Sequence, residues 1–345
     1  MAGDDIRVGL IGAGGNVRNR HIPGFQTAGG VDIAAVANRS LESGRSVADQ
    51  FNIPDVYANW QELLEDESLD AVCIGTWPYM HRTMVLAALD AGKHVLTEAR
   101  MANTAAEARD MLAASQAHPN QVCQLTPTST TYKVDNLIKQ LISDGVLGEV
   151  LSVDMQALQN RFPDYGGDLH WRQDWEMSGY NTLNIGATYE SMMRWLGRGN
   201  RVMAMSKTHV PYRRNSSGEL VSVSIADHVD ILYELANSAQ VHMRMSATTG
   251  HSTGNQTWIY GSEGTIHIDG QQNVFAGKRG ESGLAEVPNP VEKQAHYRVE
   301  EQFTNAIHGT ELVDMVAFET GVHYMEWTEA VARSAQTGQA VYLPL

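Results

Sequence analysis

The sequence predicts an α/β protein with two domains, a doubly wound parallel sheet followed by an α+β domain. Three observations predict this. A glycine-rich turn follows the first apolar, strand-like run, at residues 6–11. Strand-like and helical segments then alternate up to Leu125, which is typical of a parallel sheet with helical crossovers. Beyond Leu125 a series of strand-like runs indicates an open, mostly antiparallel sheet. We therefore predict a dinucleotide-binding domain at 1–125 and a second domain at 126–345.

The turn after the first strand carries the features of a dinucleotide-binding site. Gly12 permits a tight turn, Gly14 lets the backbone approach a pyrophosphate, and the amides of the following helix favour its negative charge. Val17 stands where the fingerprint has its third glycine, and a second strand-like run follows at 31–37. A strand, a glycine turn, a helix and a strand predict a Rossmann domain. Its predicted cofactor contacts here are Gly12, Gly14, Gly15, Asn16 and Val17.

The next repeats of the first domain are regular. Predicted helices at 41–51, 80–91 and 105–117 alternate with predicted strands at 69–76, 93–98 and 121–125. Ligands in such sheets bind beyond the carboxyl ends of the strands. We expect the residues at those ends to edge one crevice: Gly12, Asn38, Thr76, Glu98 and Gln124.

The second domain is predicted to combine helices at 132–143 and 184–196 with several strands. The strands are expected at 149–158, 221–235, 239–247, 257–260 and 265–269, with a hairpin turn at 261–264. One face of such a sheet is commonly covered by a second subunit. We therefore expect a homodimer or homotetramer.

Composition and charge exclude several classes of partner. The net charge is -15, and no basic run exceeds Arg213-Arg214, which argues against nucleic acid and anionic membranes. No apolar run approaches the roughly 20 residues that span a bilayer, and the N-terminus lacks a targeting pattern, so we expect a cytoplasmic protein. Cys73 and Cys123 lie in apolar runs, and the histidines show no ligand spacing. We predict no disulfide and no metal site.

Several motifs occur in a fixed order along the chain. They are Gly12-Ala13-Gly14-Gly15 with His21-Ile22-Pro23, Thr76-x-Pro78-x-x-His81, Gly92-Lys93-His94-Val95-Leu96-Thr97-Glu98, Trp171-Arg172, Gly186 and Ser334-Ala335-x-x-Gly338. With them the chain resembles the glucose-fructose oxidoreductase, inositol dehydrogenase and MocA family over essentially its whole length. The resemblance implies a Rossmann domain, a second domain that holds the substrate over the nicotinamide, and hydride transfer to or from a sugar, sugar acid or cyclic polyol. It places Thr76, Trp77 and His81 beside the nicotinamide, and we add Glu98 and Trp171 to the predicted cofactor site.

The chain departs from the family pattern where protons are handled. Glu98-Ala99-Arg100 replaces the usual Glu-Lys-Pro, so the lysine is missing. The family's aspartate, histidine and second aspartate on one helix face are replaced by Asn184, Thr188 and Ser191. Arg100 either takes over the charge of the lost lysine or points to solvent. These replacements put the usual proton-transfer groups in question.

Four residues are the predicted catalytic set: His170, Arg172, Asn184 and Thr188. Oxidation of a carbinol needs a base within about 3 Å of the hydroxyl, directly or through one water. Asn184 and Thr188 can orient a hydroxyl but cannot be that base. His170 is the first choice, since histidine titrates near neutral pH; its alternative is a loop histidine bonded to backbone. Arg172 matches a family arginine near the substrate and could clamp a carboxylate or two hydroxyls, or pair with Asp174 or Glu176.

Tyr180, Tyr189 and Glu190 are further candidates near these residues. Tyr189 and Glu190 either belong to a packed helix or, in the case of Glu190, bind sugar hydroxyls. The sequence leaves both interpretations open.

The residues after the second strand bear on the choice of cofactor. An acid there would hold the adenosine ribose hydroxyls, whereas this chain has Asn38-Arg39-Ser40. A cation and a hydroxyl suit a 2′-phosphate, so NADP(H) is favoured over NAD(H), which stays an alternative.

The predicted function is an NAD(P)-dependent dehydrogenase or reductase that acts on CH–OH groups of a small carbohydrate-like substrate. One alternative is a redox-neutral enzyme that retains its nucleotide and works through a keto intermediate. A second alternative is a dinucleotide- or sugar-binding protein without catalytic activity.

Overall fold

The computed structural model describes residues 5–313 and 316–345 and divides the chain into two compact units. The first unit consists of Met1–Pro127 and Arg298–Met325. The second consists of Thr128–Tyr297 and Glu326–Leu345. The boundary predicted between 125 and 126 does not anticipate the return of 298–325 to the first unit.

The first unit contains a parallel sheet of six strands in the order β3-β2-β1-β4-β5-β6. The strand order reverses direction beside β1, which is where dinucleotides bind in Rossmann sheets. The predicted doubly wound sheet is therefore confirmed. The strands are β1 (Ile6–Ile11), β2 (Val31–Ala37), β3 (Asp55–Tyr57), β4 (Ala71–Ile74), β5 (His94–Thr97) and β6 (Cys123–Leu125).

Helices connect these strands, and most of them begin at a side-chain cap. Ser40, Asn59 and Thr104 each accept the backbone N–H three residues on, which satisfies a donor at a helix start. A short π-helix, Val17–His21, runs directly into the first α-helix. The α-helices are α1 (Ile22–Ala28), α2 (Leu41–Phe51), α3 (Trp60–Leu64), α4 (Pro78–Asp90), α5 (Ala105–Ala117) and, from the returning segment, α9 (Val299–Ile307), which packs against α1.

The second unit contains a mixed sheet of nine strands in the order β16-β15-β14-β13-β7-β12-β11-β8-β17. Only β7 and β12 pair in parallel among these neighbours, so the predicted open, mostly antiparallel sheet is confirmed. The strands are β7 (Val150–Leu158), β8 (Gly199–Lys207), β11 (His228–Leu235), β12 (Gln240–Ser246), β13 (Gln256–Gly261), β14 (Gly264–Ile268), β15 (Val274–Lys278), β16 (Ala285–Glu286) and β17 (Val341–Tyr342).

The prediction of a single strand over 221–235 is wrong. Its first residues form β10 (Leu220–Ser222), which pairs only with β9 (Tyr212–Arg214), while the remainder forms β11 in the large sheet. The strand is interrupted before His228. Asp227 lies in this interruption, and its carboxylate accepts the backbone N–H groups of His209 and Val210. A side chain that satisfies a neighbouring loop competes with a continuous strand.

Helices of the second unit are α6 (Tyr132–Ser143), α7 (Trp175–Ser178), α8 (Ile185–Leu196) and the later part of α10 (Phe318–Thr337). They contribute to an aromatic core. Tyr189 of α8 stacks on Trp327 with the ring centroids 4.3 Å apart, and both rings meet Tyr233 of β11 edge-on. Aromatic contacts of this kind contribute beyond the area they bury. Among the helices within 5–313 and 316–345, none is long and apolar enough to cross a membrane.

The outward face of the nine-stranded sheet carries exposed apolar side chains. Met203 and Met205 of β8 and Leu232 of β11 are 49%, 79% and 59% exposed. Met203 and Leu232 are directly opposite each other in the ladder. An apolar patch on a sheet face is typical of a subunit interface, so the predicted homo-oligomer stays a prediction with this face as its site.

We expect Leu232→Lys to convert the oligomer to monomers, because the lysine charge would lose its hydration in a face-to-face contact. Size-exclusion chromatography with light scattering measures the change. Leu312→Lys is a matched control, because Leu312 is an exposed leucine of the first unit. A monomeric wild-type protein, or an oligomer unaffected by Leu232→Lys, would refute this assignment of the face.

Candidate active site

The glycine turn after β1 is held in a shape that a side chain would disturb. Gly12 has φ +81°, and a Cβ there would lie 2.7 Å from the Thr76 side chain. The Gly14 N–H donates to the Gly12 carbonyl at 2.7 Å, and the Ala13 N–H donates to Asn38 Oδ1 at 2.7 Å. No side chain fits at Gly12, whereas a Cβ on Gly15 would meet nothing within 4 Å, so the turn has the open backbone that the fingerprint requires for a phosphate group.

Val17 does not disturb this arrangement, because Gly75 makes room for it. Val17 is buried, and a Cβ on Gly75, just after β4, would overlap the Val17 side chain. The fingerprint's third glycine normally allows close packing of helix against strand. In this chain the small residue at this contact is Gly75, which follows strand β4, and the helix contributes Val17.

A cavity of about 630 Å³ in the first unit begins at this turn. Six predicted cofactor residues line it: Gly12, Gly14, Asn38, Arg39, Thr76 and Trp77. Other lining residues were not predicted from the sequence, in particular Arg18, Ser43, Ser46, Trp60 and Tyr79. Arg18 lies one helical turn after Gly14, and its backbone N–H donates to the Gly14 carbonyl at 3.0 Å, a spacing that could have indicated it.

Asn38 and Ser40, which follow β2, both form side-chain hydrogen bonds with the backbone. The Asn38 amide accepts the Ala13 N–H and donates to the Ser43 carbonyl. The Ser40 hydroxyl caps α2 by accepting the Ser43 N–H at 3.2 Å. Arg39 is exposed and lines the cavity together with Asn38.

His81 is buried behind the cavity wall. Its Nε2 faces the Thr76 carbonyl at 3.0 Å, and its Nδ1 faces the carbonyls of Arg100 and Met101 at 3.0 and 3.2 Å. Burial lowers the pKa of His81, although the carbonyls oppose this. The ring therefore braces Thr76 and the segment after β5, and it is not among the residues described as lining the cavity.

Arg100 is 7% exposed, so the solvent-pointing alternative for this residue is wrong. It is a buried cation two residues after Glu98, as required if it replaces the charge of the family's lysine. That replacement stays a prediction.

Glu98 belongs to a buried cluster that the sequence analysis did not find. His21 Nε2 lies 2.7 Å from Glu98 Oε1, and His21 Nδ1 lies 2.5 Å from Glu300 Oε1. The Asn16 side-chain amide also donates to Glu98 Oε1. Burial would lower the pKa of His21, but the two glutamates outweigh it and raise the pKa to about 9. Burial would likewise raise the pKa of Glu98, but its hydrogen bonds with His21 and Asn16 lower it.

A second cavity, of about 260 Å³, lies within the second unit. Asn184 and Thr188, two of the predicted catalytic residues, line it from the start of α8. The helix begins here, and the Thr188 N–H donates to the Asn184 carbonyl at 2.9 Å, which sets the two side chains one turn apart. Asn184 and Thr188 are thus brought together on one wall.

The wall of this cavity is rich in amide and hydroxyl side chains. They include Gln156, Gln159, Asn184, Thr188, Asn255 and Thr257. Among the described lining residues, only Asp269 carries a charge. Its carboxylate accepts the backbone N–H groups of Gln271 and Asn273 at 2.9 Å. Burial opposes ionisation, but these bonds and the Asn273 amide lower the pKa of Asp269, which stays a carboxylate.

His170, Trp171 and Arg172 lie on a separate loop of the second unit. His170 Nδ1 accepts the Arg172 N–H at 3.2 Å, so the side chain acts as a cap for the short helix Trp171–Gln173. The Arg172 guanidinium lies over the Trp171 ring, 4.2 Å from its centroid. Burial lowers the pKa of Arg172. The loop residues are not among those described as lining the cavity beside α8.

The His170 cap bond has a chemical consequence. Because Nδ1 accepts a hydrogen bond, the neutral ring carries its proton on Nε2. To accept a hydroxyl proton at Nε2, the ring would first have to release the Arg172 N–H and move its own proton to Nδ1. The predicted alternative, a loop histidine bonded to backbone, is present in this state.

Tyr189 and Glu190 belong to the packed part of α8. The Tyr189 hydroxyl accepts the Gly199 N–H at 2.8 Å, and burial raises its pKa to about 12. Glu190 is ion-paired with Arg194 and accepts the Thr128 N–H at 3.0 Å. The packed-helix interpretation describes Glu190 in this structure, since the residue is 2% exposed and each carboxylate oxygen has a partner; sugar binding by Glu190 stays a prediction.

The glycine turn, its place where the strand order reverses and the cavity beside it are the features of a dinucleotide-binding Rossmann domain. Residues 6–125 match the model of an oxidoreductase family with an NAD-binding Rossmann fold, and residues 136–267 match the C-terminal domain of the same family. The chain belongs to the Gfo/Idh/MocA family. The predicted resemblance and the predicted NAD(P)-dependent dehydrogenase acting on CH–OH groups are confirmed.

Relatives and solved structures of the family agree with this. The chain is 26% identical over 256 residues to trans-1,2-dihydrobenzene-1,2-diol dehydrogenase of Xenopus laevis, covering 74% of this chain and 72% of that protein. It is 27% identical over 248 residues to levoglucosan dehydrogenase of Pseudarthrobacter phenanthrenivorans, covering 67% and 63%. A structure of levoglucosan dehydrogenase in complex with NADH and L-sorbose has the same fold, with a TM-score of 0.87, 21% identity and 99% of each chain covered.

Proposed function

We propose that this protein is an NADP(H)-dependent dehydrogenase that acts on a carbinol of an uncharged sugar or cyclic polyol. The observation that carries the proposal is the charge of the first unit's cavity. Arg18 and Arg39 line it together with the glycine turn, and none of its described lining residues is acidic. When bound, the nicotinamide supplies hydride transfer. The protein supplies binding, orientation and the handling of the hydroxyl proton.

The adenosine end of the cavity supports NADP(H) over NAD(H). A carboxylate after β2 would bind the ribose hydroxyls and repel a 2′-phosphate. Asn38 stands there, and its amide is already bonded to the Ala13 N–H and the Ser43 carbonyl. Arg39 is the neighbouring cation, and a guanidinium binds phosphate with two parallel hydrogen bonds.

A fluorescence titration tests the cofactor assignment, because Trp60 and Trp77 line the cavity. We expect NADPH to bind at least about tenfold more tightly than NADH, since one charge-assisted hydrogen bond contributes about 1.5–3 kcal/mol. Equal or tighter binding of NADH would contradict the NADP(H) assignment. Failure of both nucleotides to bind would refute the enzyme assignment as a whole.

The cavity beside α8 is the proposed substrate site. Its amide and hydroxyl groups can each exchange hydrogen bonds with a hydroxyl, and its one charged lining residue among those described is an anion. Such a wall favours uncharged polyhydroxyl compounds and disfavours sugar acids. Levoglucosan, L-sorbose and trans-1,2-dihydrobenzene-1,2-diol, which appear in the names above, are uncharged hydroxyl compounds.

Asn184 and Thr188 are proposed to orient the reacting hydroxyl. We expect Asn184→Ala and Thr188→Val each to lower kcat/KM by about tenfold, the equivalent of one lost hydrogen bond, with NADPH affinity unchanged. Ser191→Ala is a control on the same helix, since the Ser191 hydroxyl bonds the Ala187 carbonyl and is not among the described lining residues. Equal losses in all three variants would contradict the proposed role.

His170 and Arg172 stay proposed catalytic residues. The His170 side chain is exposed, and Arg172 is held over Trp171, so both belong to a preorganised loop segment. In this state the neutral His170 ring has its proton on Nε2, so that nitrogen cannot accept one. Proton acceptance by His170 requires the tautomer change described above.

A further inference from the structure

The function proposed above does not involve the buried cluster of His21, Glu98 and Glu300. His21 is fully buried, and each of its ring nitrogens lies within 2.7 Å of a glutamate oxygen. Glu98 follows β5, whereas Glu300 lies in the first turn of α9, in the segment that returns to the first unit. The cluster therefore joins three separate elements of one unit.

The geometry fixes how many protons the cluster must hold. A carboxylate accepts hydrogen bonds, so an imidazole between two carboxylates satisfies both only when both nitrogens carry protons. A neutral ring would turn an unshared nitrogen lone pair toward a carboxylate oxygen. One of the two contacts would then be repulsive and would open.

The fold makes room for this arrangement. A Cβ on Gly24 of α1 would overlap the Glu300 carboxylate, so the glycine allows Glu300 to reach His21. His21 ends the π-helix that begins directly after the glycine turn. Glu98 in turn receives the side-chain amide of Asn16, the residue that precedes that helix.

We propose that His21 is a positioning residue for the cofactor: as an imidazolium bound by Glu98 and Glu300, it holds Asn16 and thereby the glycine turn in the form that binds the dinucleotide. The proposal rests on the cofactor assignment made above. Asn38 holds the turn from the β2 side through the Ala13 N–H, and the His21 cluster holds it from the β5 side. When the His21 imidazolium loses a proton, the restraint on the glycine turn from the β5 side is lost.

The positive charge between the two glutamates is that of His21 and not of the other titratable groups near the cluster. Cys73 of β4 and His81 of α4 interact electrostatically with Glu98, and Cys73 also with Glu300. Burial raises the pKa of the Cys73 thiol well above its usual value, and burial lowers the pKa of His81. A lowered pKa disfavours an imidazolium at His81 and a raised pKa keeps the Cys73 thiol protonated, so neither group brings a further cation to the glutamates. The pKa of His21, raised to about 9, places the loss of its proton at alkaline pH.

The test compares the wild type with Glu300→Gln over a range of pH. A glutamine amide can donate to Nδ1 of the neutral imidazole while Nε2–H donates to Glu98, so this variant keeps the cluster intact without the imidazolium. The matched control is Glu301→Gln, which removes a carboxylate from the next residue of α9, where it pairs with the half-exposed Arg298. The measurements are NADPH affinity and the NMR titration of the His21 ring in the full-length protein.

For the wild type and Glu301→Gln we expect the Kd for NADPH to rise about tenfold between about pH 8 and about pH 10. The rise is expected because the fraction of protein with His21 protonated, which is the form that binds NADPH, falls over this range. For Glu300→Gln we expect no such rise, together with a His21 pKa lowered by at least about one unit. The same pH profile in wild type and Glu300→Gln, despite the lowered His21 pKa, would overturn the proposal. Absence of NADPH binding to the wild type at neutral pH would instead refute the cofactor assignment.

Discussion

Replacing Arg194 by methionine is expected to destabilise the second unit by about 3–5 kcal/mol. The Arg194 guanidinium lies between two carboxylates that are almost fully buried, Asp135 at 3.0 Å and Glu190. It also donates to Thr131 Oγ1 at 2.8 Å. Without the cation, Asp135 and Glu190 would be buried carboxylates that keep, among the described residues, only the hydrogen bonds from the Trp195 ring N–H and the Thr128 N–H. Burial already raises the pKa of Glu190 with Arg194 present, which shows how much the carboxylate depends on this partner.

Urea unfolding of the variant, followed by circular dichroism, measures this loss. Arg201→Met is the matched control, because Arg201 of β8 is exposed and pairs with Glu234 of β11 at 2.8 Å. We expect a much smaller loss of stability than for Arg194→Met, because solvent screens an exposed ion pair. A similar cost for both substitutions would show that the Arg194 cluster is not the buried network described here.

Replacing Arg39 by alanine is expected to weaken NADPH binding by about 10- to 100-fold and NADH binding by less than about threefold. Arg39 lines the cavity beside Asn38, whose amide is committed to the glycine turn, and Ser40 caps α2. The guanidinium is therefore the group in this stretch that would bind a 2′-phosphate. The lost contact is a charge-assisted hydrogen bond, and NADH has no group that uses it.

Isothermal titration of both nucleotides measures this change. Arg45→Ala is the control, because Arg45 is an exposed cation on α2 that is not among the described residues of the cavity wall. Equal weakening of NADPH and NADH by Arg39→Ala would mean that Arg39 contacts a part that the two nucleotides share. The NADP(H) assignment would then lose its main support.

The first domain could be predicted from the sequence because its signals are local. The apolar runs of β1 and β2 flank the glycine turn, and several helix boundaries are marked by a cap residue such as Ser40 or by a glycine such as Gly92. The helices predicted at 41–51 and 105–117 have the predicted bounds. The strand predicted over 221–235 failed because its interruption depends on a side-chain bond from Asp227 to a loop outside the strand.

The His21 cluster could not be predicted, since its members are far apart in the sequence. His21 and Glu300 are separated by 279 residues, and the return of 298–325 to the first unit brings them together. Gly24 within a helix is the one local signal, because a glycine there indicates close approach by another group. Nothing in the local sequence identifies that group as Glu300.

Parts of the candidate site were predictable from chemistry, whereas the state of individual side chains was not. Asn184 and Thr188 fall on one wall because residues four apart share a helix face. The cap bond of His170 depends on the backbone of Arg172 and could not be distinguished from a free side chain. The buried partners of Glu190 lie up to 62 residues away, so its structural role appears only in the fold.

The most direct test of the central proposal is the formation of NADPH by the purified protein, followed by its absorbance, with NADP⁺ and a panel of uncharged sugars and cyclic polyols. Matched sugar acids form the comparison panel. We expect NADPH formation with at least one uncharged compound, a lower rate with its acid, and a lower rate when NAD⁺ replaces NADP⁺. Turnover restricted to the acids, or preferred with NAD⁺, would contradict the proposed substrate class or the proposed cofactor respectively.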